Sequence, residues 1–310
     1  MRWLLLALLI SQEQPAPEPP AAPINDVLVA QILLDRAGFS PGEIDGRQGT
    51  NVRRALAAFQ RAHSLQPTGR MDEPTWTTLL SRAGGAPPLV TYLIDEADLS
   101  GPFTGEIPGD LMAQAKLDVL GFSSPLESLA EKFHASPTLI ASLNPGATFD
   151  RVGDRILVPN VMALDPLAPL PGATPEARIV VSKTTSALTV EDLAGQVLFH
   201  APVTTGSKHD PLPIGTWKVT GVHRNPPFHY NPDLFWDANP KHAKARLAPG
   251  PNNPVGTVWI DLTKEHYGIH GTPEPGRIGH VESHGCVRLT NWDAQEVAQW
   301  ARPGTQVVFK

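Results

Sequence analysis

The chain holds one cysteine, Cys286, and four of its 11 histidines lie in the same stretch, between positions 266 and 292. A free cysteine thiol has a pKa of about 8.5, so a nucleophilic thiol needs a nearby base or positive charge. His284 lies two residues before Cys286, and His270 lies sixteen residues before it. These residue types and spacings predict nucleophilic catalysis by Cys286, with the two histidines as candidate bases.

The elements around these residues must bring His270 back to the thiol. His270 ends an apolar, strand-like pattern, T-V-W-I-D-L followed by Y-G-I-H. A loop with several Gly and Pro residues, 271–282, separates it from Cys286, and loops on rigid scaffolds tend to present catalytic groups. Gly285 beside the thiol allows close approach to the backbone, so consecutive N–H groups there are candidates for an oxyanion hole.

Two blocks of sequence, I-H-G-T and S-H-G-C-V-R-L-x-N, resemble the active-site signature of the L,D-transpeptidase catalytic domain of bacterial cell-wall enzymes. The resemblance extends over roughly residues 178–310. It implies that Cys286 is the acyl-accepting nucleophile and that His270 is its base, oriented by a backbone carbonyl near Gly271. It further implies an oxyanion side shaped by Ser283, His284 and Gly285, and a substrate-holding role for Arg288.

Other interpretations of these residues stay open at the level of sequence. A single cysteine is commonly a small buried apolar residue. Tetrahedral zinc is a second alternative, with His270, His280, His284 and Cys286 as its ligands. His266 and His280 match no motif position and are expected to be surface or loop residues. Arg288 is equally well explained as the partner of an internal ion pair.

The composition is that of a soluble globular protein with several domains. The 310 residues suffice for two or three domains, and 41% are hydrophobic and 18% charged. The net charge of −6 and the lack of a long basic cluster argue against a nucleic-acid partner. The 33 prolines exceed the usual share of about one in twenty, which predicts linkers and stiff loops between compact modules.

The first residues predict export to the periplasm or cell wall. Residues 1–11 carry one positive charge and then an apolar run, as in a signal peptide, and the run is too short for a stable membrane span. A Pro-rich linker follows at 12–23. No cysteine is available for a lipid anchor.

Residues 24–83 predict a small domain of three short helices joined by turns with Gly, because apolar residues recur at helical spacing. Asp72 is expected to begin the third helix, with Thr75 three residues on. The segment resembles the peptidoglycan-binding domain in D-G-x-x-G, which starts at Asp45, and in A-x-x-x-F-Q, which ends at Gln60. Each of these residues is also explained as core or turn, so wall binding is predicted for the unit as a whole.

Residues 84–115 form a less regular linker to which the sequence assigns no role. Residues 116–160 resemble a LysM glycan-binding module, notably in V-G-D-R-I-L-V-P. They predict a helix from about Leu126, a turn at 135–137, a second helix to Leu143 and a strand at 155–158. The first strand and the usual opening of such a module are missing from this segment.

A Pro-rich linker at 161–177 leads into a mostly β domain at 178–310, where short runs alternate in hydrophobicity. One helix is expected after Thr290, in a capping pattern with Asp293. The insertion at 223–254 is long enough for a lid or cleft wall. The predicted fold class is therefore multidomain: a three-helix peptidoglycan-binding-like domain, an α/β LysM-like module and a mostly β L,D-transpeptidase domain.

The resemblance implies a peptidoglycan L,D-transpeptidase that cross-links diaminopimelate residues through a cysteine thioester. Its expected partners are peptidoglycan stem peptides and glycan, with carbapenems as inhibitors, and it requires neither a metal nor an organic cofactor. The same thioester could instead be resolved by water, as in an L,D-carboxypeptidase, or by a protein lysine, as in lipoprotein attachment. A zinc peptidase and a non-catalytic wall-binding protein are alternatives from other classes.

Overall fold

The computed structural model describes residues 25–161 and 176–310. The predicted signal segment 1–11, the predicted linker 12–23 and all but the ends of the predicted linker 161–177 lie outside these residues. None of the described helices is long and apolar enough to cross a membrane.

The helical unit has the three helices that the sequence predicts: α1 (Asp26–Arg36), α2 (Thr50–Ala62) and α3 (Glu73–Ala83). Asp72 begins α3 as expected, because its side chain accepts from the backbone N–H of Thr75. The motif residues serve the core and the turns. Phe59 is fully buried, and the buried Gln60 amide bonds the turn that leads to α3.

The second unit is a two-stranded sheet with two main helices and one short helix. Its strands are β1 (Leu89–Leu93) and β2 (Arg155–Pro159), which pair antiparallel, and its helices are α4 (Leu111–Gln114), α5 (Pro125–Lys132) and α6 (Pro137–Leu143). The two main helices and β2 match the predicted elements. The strand β1 was not predicted. It lies within residues 84–115, the segment to which the sequence assigned no role, and it supplies the first strand of this unit. Its partner lies more than 60 residues away, so no hairpin signal marks it.

The last unit is built on an eight-stranded sheet of order β11-β10-β9-β6-β12-β3-β4-β5. Its strands are β3 (Ala177–Ser182), β4 (Ala187–Asp192), β5 (Val197–Pro202), β6 (Gly215–Arg224), β9 (Val258–Leu262), β10 (Gly268–His270), β11 (Val287–Arg288) and β12 (Gln306–Phe309). The insertion adds a separate hairpin, β7 (Phe228–Tyr230) with β8 (Ala245–Leu247). The mostly β prediction is confirmed.

One helix, α7 (Asn291–Trp300), packs against this sheet beside β9 and β10. The Thr290 side chain accepts from the backbone N–H of Asp293, which is the predicted cap. Ala294, Val297 and Ala298 are fully buried in the sheet core, as their helical spacing predicts. Because α7 begins five residues after Cys286, it fixes the chain that leaves the thiol.

The front half is docked on the sheet domain rather than simply tethered to it. On one side, the backbone of His200 in β5 exchanges hydrogen bonds with Gly38 and Ser40, at 2.9 and 2.8 Å. On another, Glu131 of α5 accepts from the Asn291 amide of α7. The sequence predicts modules and linkers but not these contacts, because proline content reports chain stiffness and carries no information about packing between units.

The second unit also contacts the insertion, through Leu120 and Asp110. The backbone N–H of Leu120 donates to Pro249, and the Leu120 side chain is buried with Tyr230 and Leu247. His242 Nε2 lies 2.9 Å from the carboxylate of Asp110. The insertion is therefore anchored on the second unit at this end.

Candidate active site

The pairing of β10 with β11 brings the two predicted catalytic residues together. The strands run parallel, with Ile269 opposite Val287 and His270 opposite Arg288. Side chains alternate along a strand, so His270, Arg288 and the Cys286 that lies two positions earlier share one side of the sheet. The predicted approach of His270 to the thiol thus follows from strand register.

His270 lies at the end of β10 and is 3% exposed. Its Nδ1 lies 2.7 Å from the carbonyl oxygen of Gly271. A carbonyl can only accept, so Nδ1 carries the proton and Nε2 presents a lone pair. The ring also stacks on Trp259, with 5.3 Å between centroids. The backbone carbonyl of Gly271 therefore orients the ring.

Burial, together with the nearby Arg288 guanidinium, lowers the pKa of His270 to about 3. The ring is consequently neutral at physiological pH. A neutral imidazole with an open Nε2 is a proton acceptor. These are the properties required of a general base.

Cys286 is half-buried, and its Sγ lies 3.8 Å from the carbonyl oxygen of His266. Burial raises the pKa of the thiol, while the backbone N–H of Gly268 and the charge of Arg288 act in the opposite direction. In the resting site the thiol and the imidazole are thus both neutral. This arrangement favours proton removal by His270 during attack over a preformed thiolate.

The chain just before the thiol is held in a tight turn. The Ser283 hydroxyl donates to the carbonyl of Cys286 at 2.6 Å, and the Ser283 backbone exchanges hydrogen bonds with Thr205 and Ser207. Gly285 has a φ of 106°, and a Cβ there would lie 2.7 Å from the Tyr267 ring. Ser283 and Gly285 therefore shape this turn, and glycine is needed at 285 for both reasons.

His284 faces the insertion. Its Nε2 lies 2.7 Å from the carboxylate of Asp237, and its ring meets those of Phe235 and Trp236. Trp236 also stacks on His209, with 4.3 Å between centroids. The insertion thus forms a wall beside the thiol turn, in agreement with the predicted lid or cleft wall.

Arg288 is half-buried beside His270 and Cys286. Its Nε has no hydrogen-bond partner among residues 25–161 and 176–310, and no carboxylate there forms an ion pair with it. Glu274 acts on Arg288 through its charge, but its carboxylate is not within ion-pair distance of the guanidinium. Burial lowers the pKa of Arg288, but its ordinary value is so high that the guanidinium remains charged. It is a fixed cation available to an anionic ligand.

Asn291 is the last residue of the predicted motif. It lies against Gly271, whose backbone carbonyl orients His270. The side chain is fully buried, and its Oδ1 lies so close to Gly271 that a Cβ on that glycine would collide with it. Its Oδ1 also accepts from the backbone of Thr257 at 3.1 Å, and its Nδ2 donates to Glu131 at 3.0 Å. Asn291 therefore links α5 of the second unit to the carbonyl that orients His270.

Burial raises the pKa of Glu131 to about 8, even though the hydrogen bond from Asn291 opposes the shift. The carboxyl is mostly neutral at pH 7. A buried neutral carboxyl can hold the amide without an uncompensated charge inside the interface.

Tyr267, Trp259 and Asp237 are not among the predicted site residues. Each contacts a predicted site residue. Asp237 lies 47 residues before His284, within a loop that has no periodic pattern. Its only sequence signal is F-W-D, an aromatic pair followed by an acid in a polar insertion.

The four residues of the zinc alternative do not assemble. No group of three or more His, Cys, Asp or Glu residues in the described parts of the chain could hold a metal ion. His280 is exposed on the 271–282 loop, and His266 is exposed as well, as both were expected to be.

Comparison with protein families gives two matches. Residues 176–309 match the L,D-transpeptidase catalytic domain (YkuD), and residues 24–79 match a domain described as "Putative peptidoglycan binding domain". The catalytic match covers the sheet domain and every predicted site residue. The second match covers α1, α2 and the first part of α3.

Curated relatives carry related names. "Putative L,D-transpeptidase YqjB" of Bacillus subtilis is 31% identical over 147 residues, which are 46% of this chain and 73% of the relative. "Putative L,D-transpeptidase YkuD" of Bacillus licheniformis is 29% identical over 184 residues, or 59% of this chain and 91% of the relative. Among solved structures, an L,D-transpeptidase from Mycobacterium smegmatis aligns with a TM-score of 0.36 and 20% identity. That alignment covers 44% of this chain and 58% of the other.

Proposed function

This chain belongs to the L,D-transpeptidase family, and we propose that it cross-links the peptide stems of peptidoglycan through a thioester on Cys286. The observation that carries the proposal is the register of β10 and β11. It sets a neutral His270, oriented by a backbone carbonyl, on the same side as the only thiol. Relatives with this catalytic domain bear L,D-transpeptidase names.

In the first half-reaction, His270 Nε2 takes the thiol proton as Cys286 Sγ attacks the carbonyl that follows the L-centre of the donor diaminopimelate. Backbone N–H groups around Gly285 are the proposed oxyanion donors, and such donors typically contribute about a hundredfold or more in rate. The C–N bond then breaks. The proton returns from His270 to the leaving amine, and D-alanine departs while a thioester remains on sulfur.

In the second half-reaction, the amine of another stem attacks the thioester. His270 accepts a proton from that amine, the C–S bond breaks, and the sulfur leaves as a thiol after reprotonation. The product joins two diaminopimelate residues. Water or a protein lysine would resolve the same thioester to different products, so the acceptor is identified by what is released.

We assign the unpartnered Arg288 guanidinium to a donor carboxylate near the leaving residue. A fixed fork-shaped cation recognises a carboxylate in a defined position. Tetrapeptide stems should therefore be good donors, and pentapeptide stems poor ones, because an added residue moves the terminal carboxylate away. A carbapenem should acylate Cys286, since its strained carbonyl is an electrophile for the same thiol.

The front half is proposed to bind the wall. The family match at 24–79 supports this for the helical unit. For the second unit we propose a LysM-like module spanning about 89–159, supported by two helices enclosed between the paired strands β1 and β2. Export to the periplasm or wall, directed by residues 1–11, completes the proposal.

The experiment is mass spectrometry of the products formed from purified disaccharide-tetrapeptide, with Cys286→Ala as the matched control. The expected result is a dimer whose fragmentation joins two diaminopimelate residues, formed by the wild type alone. A tripeptide product without dimer would assign an L,D-carboxypeptidase. D-alanine within the bridge, or turnover by Cys286→Ala, would overturn the proposed reaction.

A further inference from the structure

A second cavity, of about 830 Å³, lies between α2 and the edge of the sheet at β3, β4 and β5. Neither Cys286 nor any other predicted site residue lines it. One wall comes from the helical unit and the other from the sheet domain. The active site does not account for this groove.

The groove is strongly cationic in a chain of net charge −6. It is lined by Arg53, Arg54, Arg61 and Lys310, and its one carboxylate, Glu191, is engaged by an arginine outside it at 2.8 Å. No described carboxylate forms an ion pair with the three α2 arginines. Their hydrogen-bond partners are neutral, for example the Thr50 hydroxyl for Arg53. The cluster thus lacks counter-charge from the described residues.

A buried polar group in the same wall also lacks a partner. His200 of β5 lines the groove and is 2% exposed, and its Nδ1 has no hydrogen-bond partner among the described residues. Burial, with contributions from Arg61 and Arg54, lowers the pKa of His200 to about 4. An unpaired buried nitrogen costs free energy unless a ligand satisfies it.

The spacing and the lining indicate the chemistry of a ligand. Arg53 and Arg61 are eight residues apart on α2, or about 12 Å along the helix axis, so the ligand must carry more than one anionic group. Ala57 and Ala58 leave room between Arg53 and Arg61. Arginine forks bind phosphate oxygens through paired hydrogen bonds.

Hydroxyl groups line the groove beside apolar residues such as Pro67, Val180 and Val197, and no Phe, Tyr or Trp lines it. The hydroxyls are those of Thr50, Thr68, Ser182, Thr184, Thr185 and Thr189. Single-stranded nucleic acid is usually held by stacking on aromatic rings, which are missing from this wall. Hydroxyls suit the alcohol groups of a polyol. We infer that this groove binds a polyol-phosphate chain through at least two of its phosphate groups.

Because the groove has one wall on each unit, a bound chain would contact the helical unit and the sheet domain together. Any ligand that binds the docked form alone stabilises it by mass action. Binding should therefore raise the unfolding temperature of the full chain, and it should weaken with added salt because exposed charges are screened.

The test measures binding of fluorescently labelled poly(glycerol phosphate) to the full chain by anisotropy. The double variant Arg53→Gln/Arg61→Gln should lose about a hundredfold or more in affinity, because it removes two charged hydrogen-bond donors to the phosphates. The matched control is Arg47→Gln, an exposed arginine of the same unit outside the groove, which should bind as the wild type does. Both substituted arginines are exposed, so circular dichroism should report a native fold.

Three outcomes would overturn the inference. The wild type fails to bind the probe, or the double variant binds it as well as the wild type does. In the third, polyglutamate or single-stranded DNA competes as strongly as unlabelled poly(glycerol phosphate), which would assign a general anion surface. Thioester formation should be unchanged in all variants, because the groove shares no residue with the active site.

Discussion

His270 and His284 both accompany the single thiol in the sequence, yet the fold gives them opposite surroundings. His270 is buried at a strand end, bonded to a backbone carbonyl and stacked on Trp259. The side chain of His284 is 26% exposed and is bonded to the carboxylate of Asp237 on the insertion. A ring fixed by backbone and kept neutral by burial suits proton transfer. A ring tied to an insertion suits the shaping of a cleft.

Motif spacing alone does not identify which of the two histidines is the catalytic base. Either histidine satisfies the rule that a nucleophilic cysteine needs a nearby base. Strand register selects His270, since the partner of Arg288 must lie on the same side as Cys286. His284 instead marks where the insertion meets the thiol turn.

Replacing the base should give the largest effect. His270→Ala should lower the rate of thioester formation by about a hundredfold to ten-thousandfold, as expected for removal of a general base. His284→Ala should lose much less, and His280→Ala, at an exposed position in the same loop, is the matched control. Single-turnover kinetics with a tetrapeptide donor would measure all three. Equal losses at 270 and 280 would contradict the assignment.

Replacing Asn291, which lies against Gly271, should give a smaller effect than replacing His270. Asn291→Ala should lower kcat about tenfold with little change in KM, because a misplaced catalytic group costs rate. It should also lower the free energy of unfolding by about 1–3 kcal/mol, since buried partners lose their hydrogen bonds.

Gln295→Ala is the control for Asn291, because Gln295 bonds Thr257 from the same helix but does not touch Gly271. It should destabilise the fold without a comparable loss of kcat. If both variants lose the same activity, Asn291 has a general structural role and does not position His270.

Loosening the insertion should give a modest effect. Asp237→Asn weakens a half-exposed pair with His284, and such pairs are commonly worth about 1 kcal/mol or less, so about threefold in kcat/KM is expected. Asp233→Asn is the control, since its carboxylate pairs with Lys244 of the same insertion. Steady-state kinetics would measure kcat/KM for both variants. Equal values would show that the contact between Asp237 and His284 does not contribute to the site.

The rate of thioester formation should not change with pH over the range where a histidine in solution would titrate. The pKa of His270 is lowered to about 3 and that of Cys286 is raised, so both groups are neutral at a pH between these two pKa values. The rate of thioester formation should therefore be flat from about pH 5 to pH 8, without a step near the ordinary histidine pKa of about 6.5. A rate that falls with acid below pH 6.5 would indicate an ion pair of thiolate and imidazolium.

Local patterns predicted the parts of the fold that depend on neighbours in sequence. The capped start of α7 at Thr290, the cap of α3 at Asp72 and the strand that ends at His270 all follow from residues within a few positions. The orienting carbonyl of Gly271 is one residue from the ring it holds.

Contacts across long separations were not predictable in the same way. The pairing of β1 with β2 and the hydrogen bonds from His284 to Asp237 and from Asn291 to Glu131 join residues far apart in the chain. No period or turn signal encodes such partners. Docking of the front half escaped prediction for the same reason, because a Pro-rich linker reports stiffness and leaves the final packing open.

The central claim is that Cys286 carries the acyl group, and intact-protein mass spectrometry tests it most directly. After incubation of the wild type with a tetrapeptide stem donor whose side-chain amine is acetylated, so that it cannot act as the acceptor, the account predicts an added mass equal to the donor minus D-alanine. Peptide mapping should place it on Cys286, and hydroxylamine should remove it as it does a thioester. An adduct of the same mass on Cys286→Ala, or its assignment to any other residue, would contradict the account.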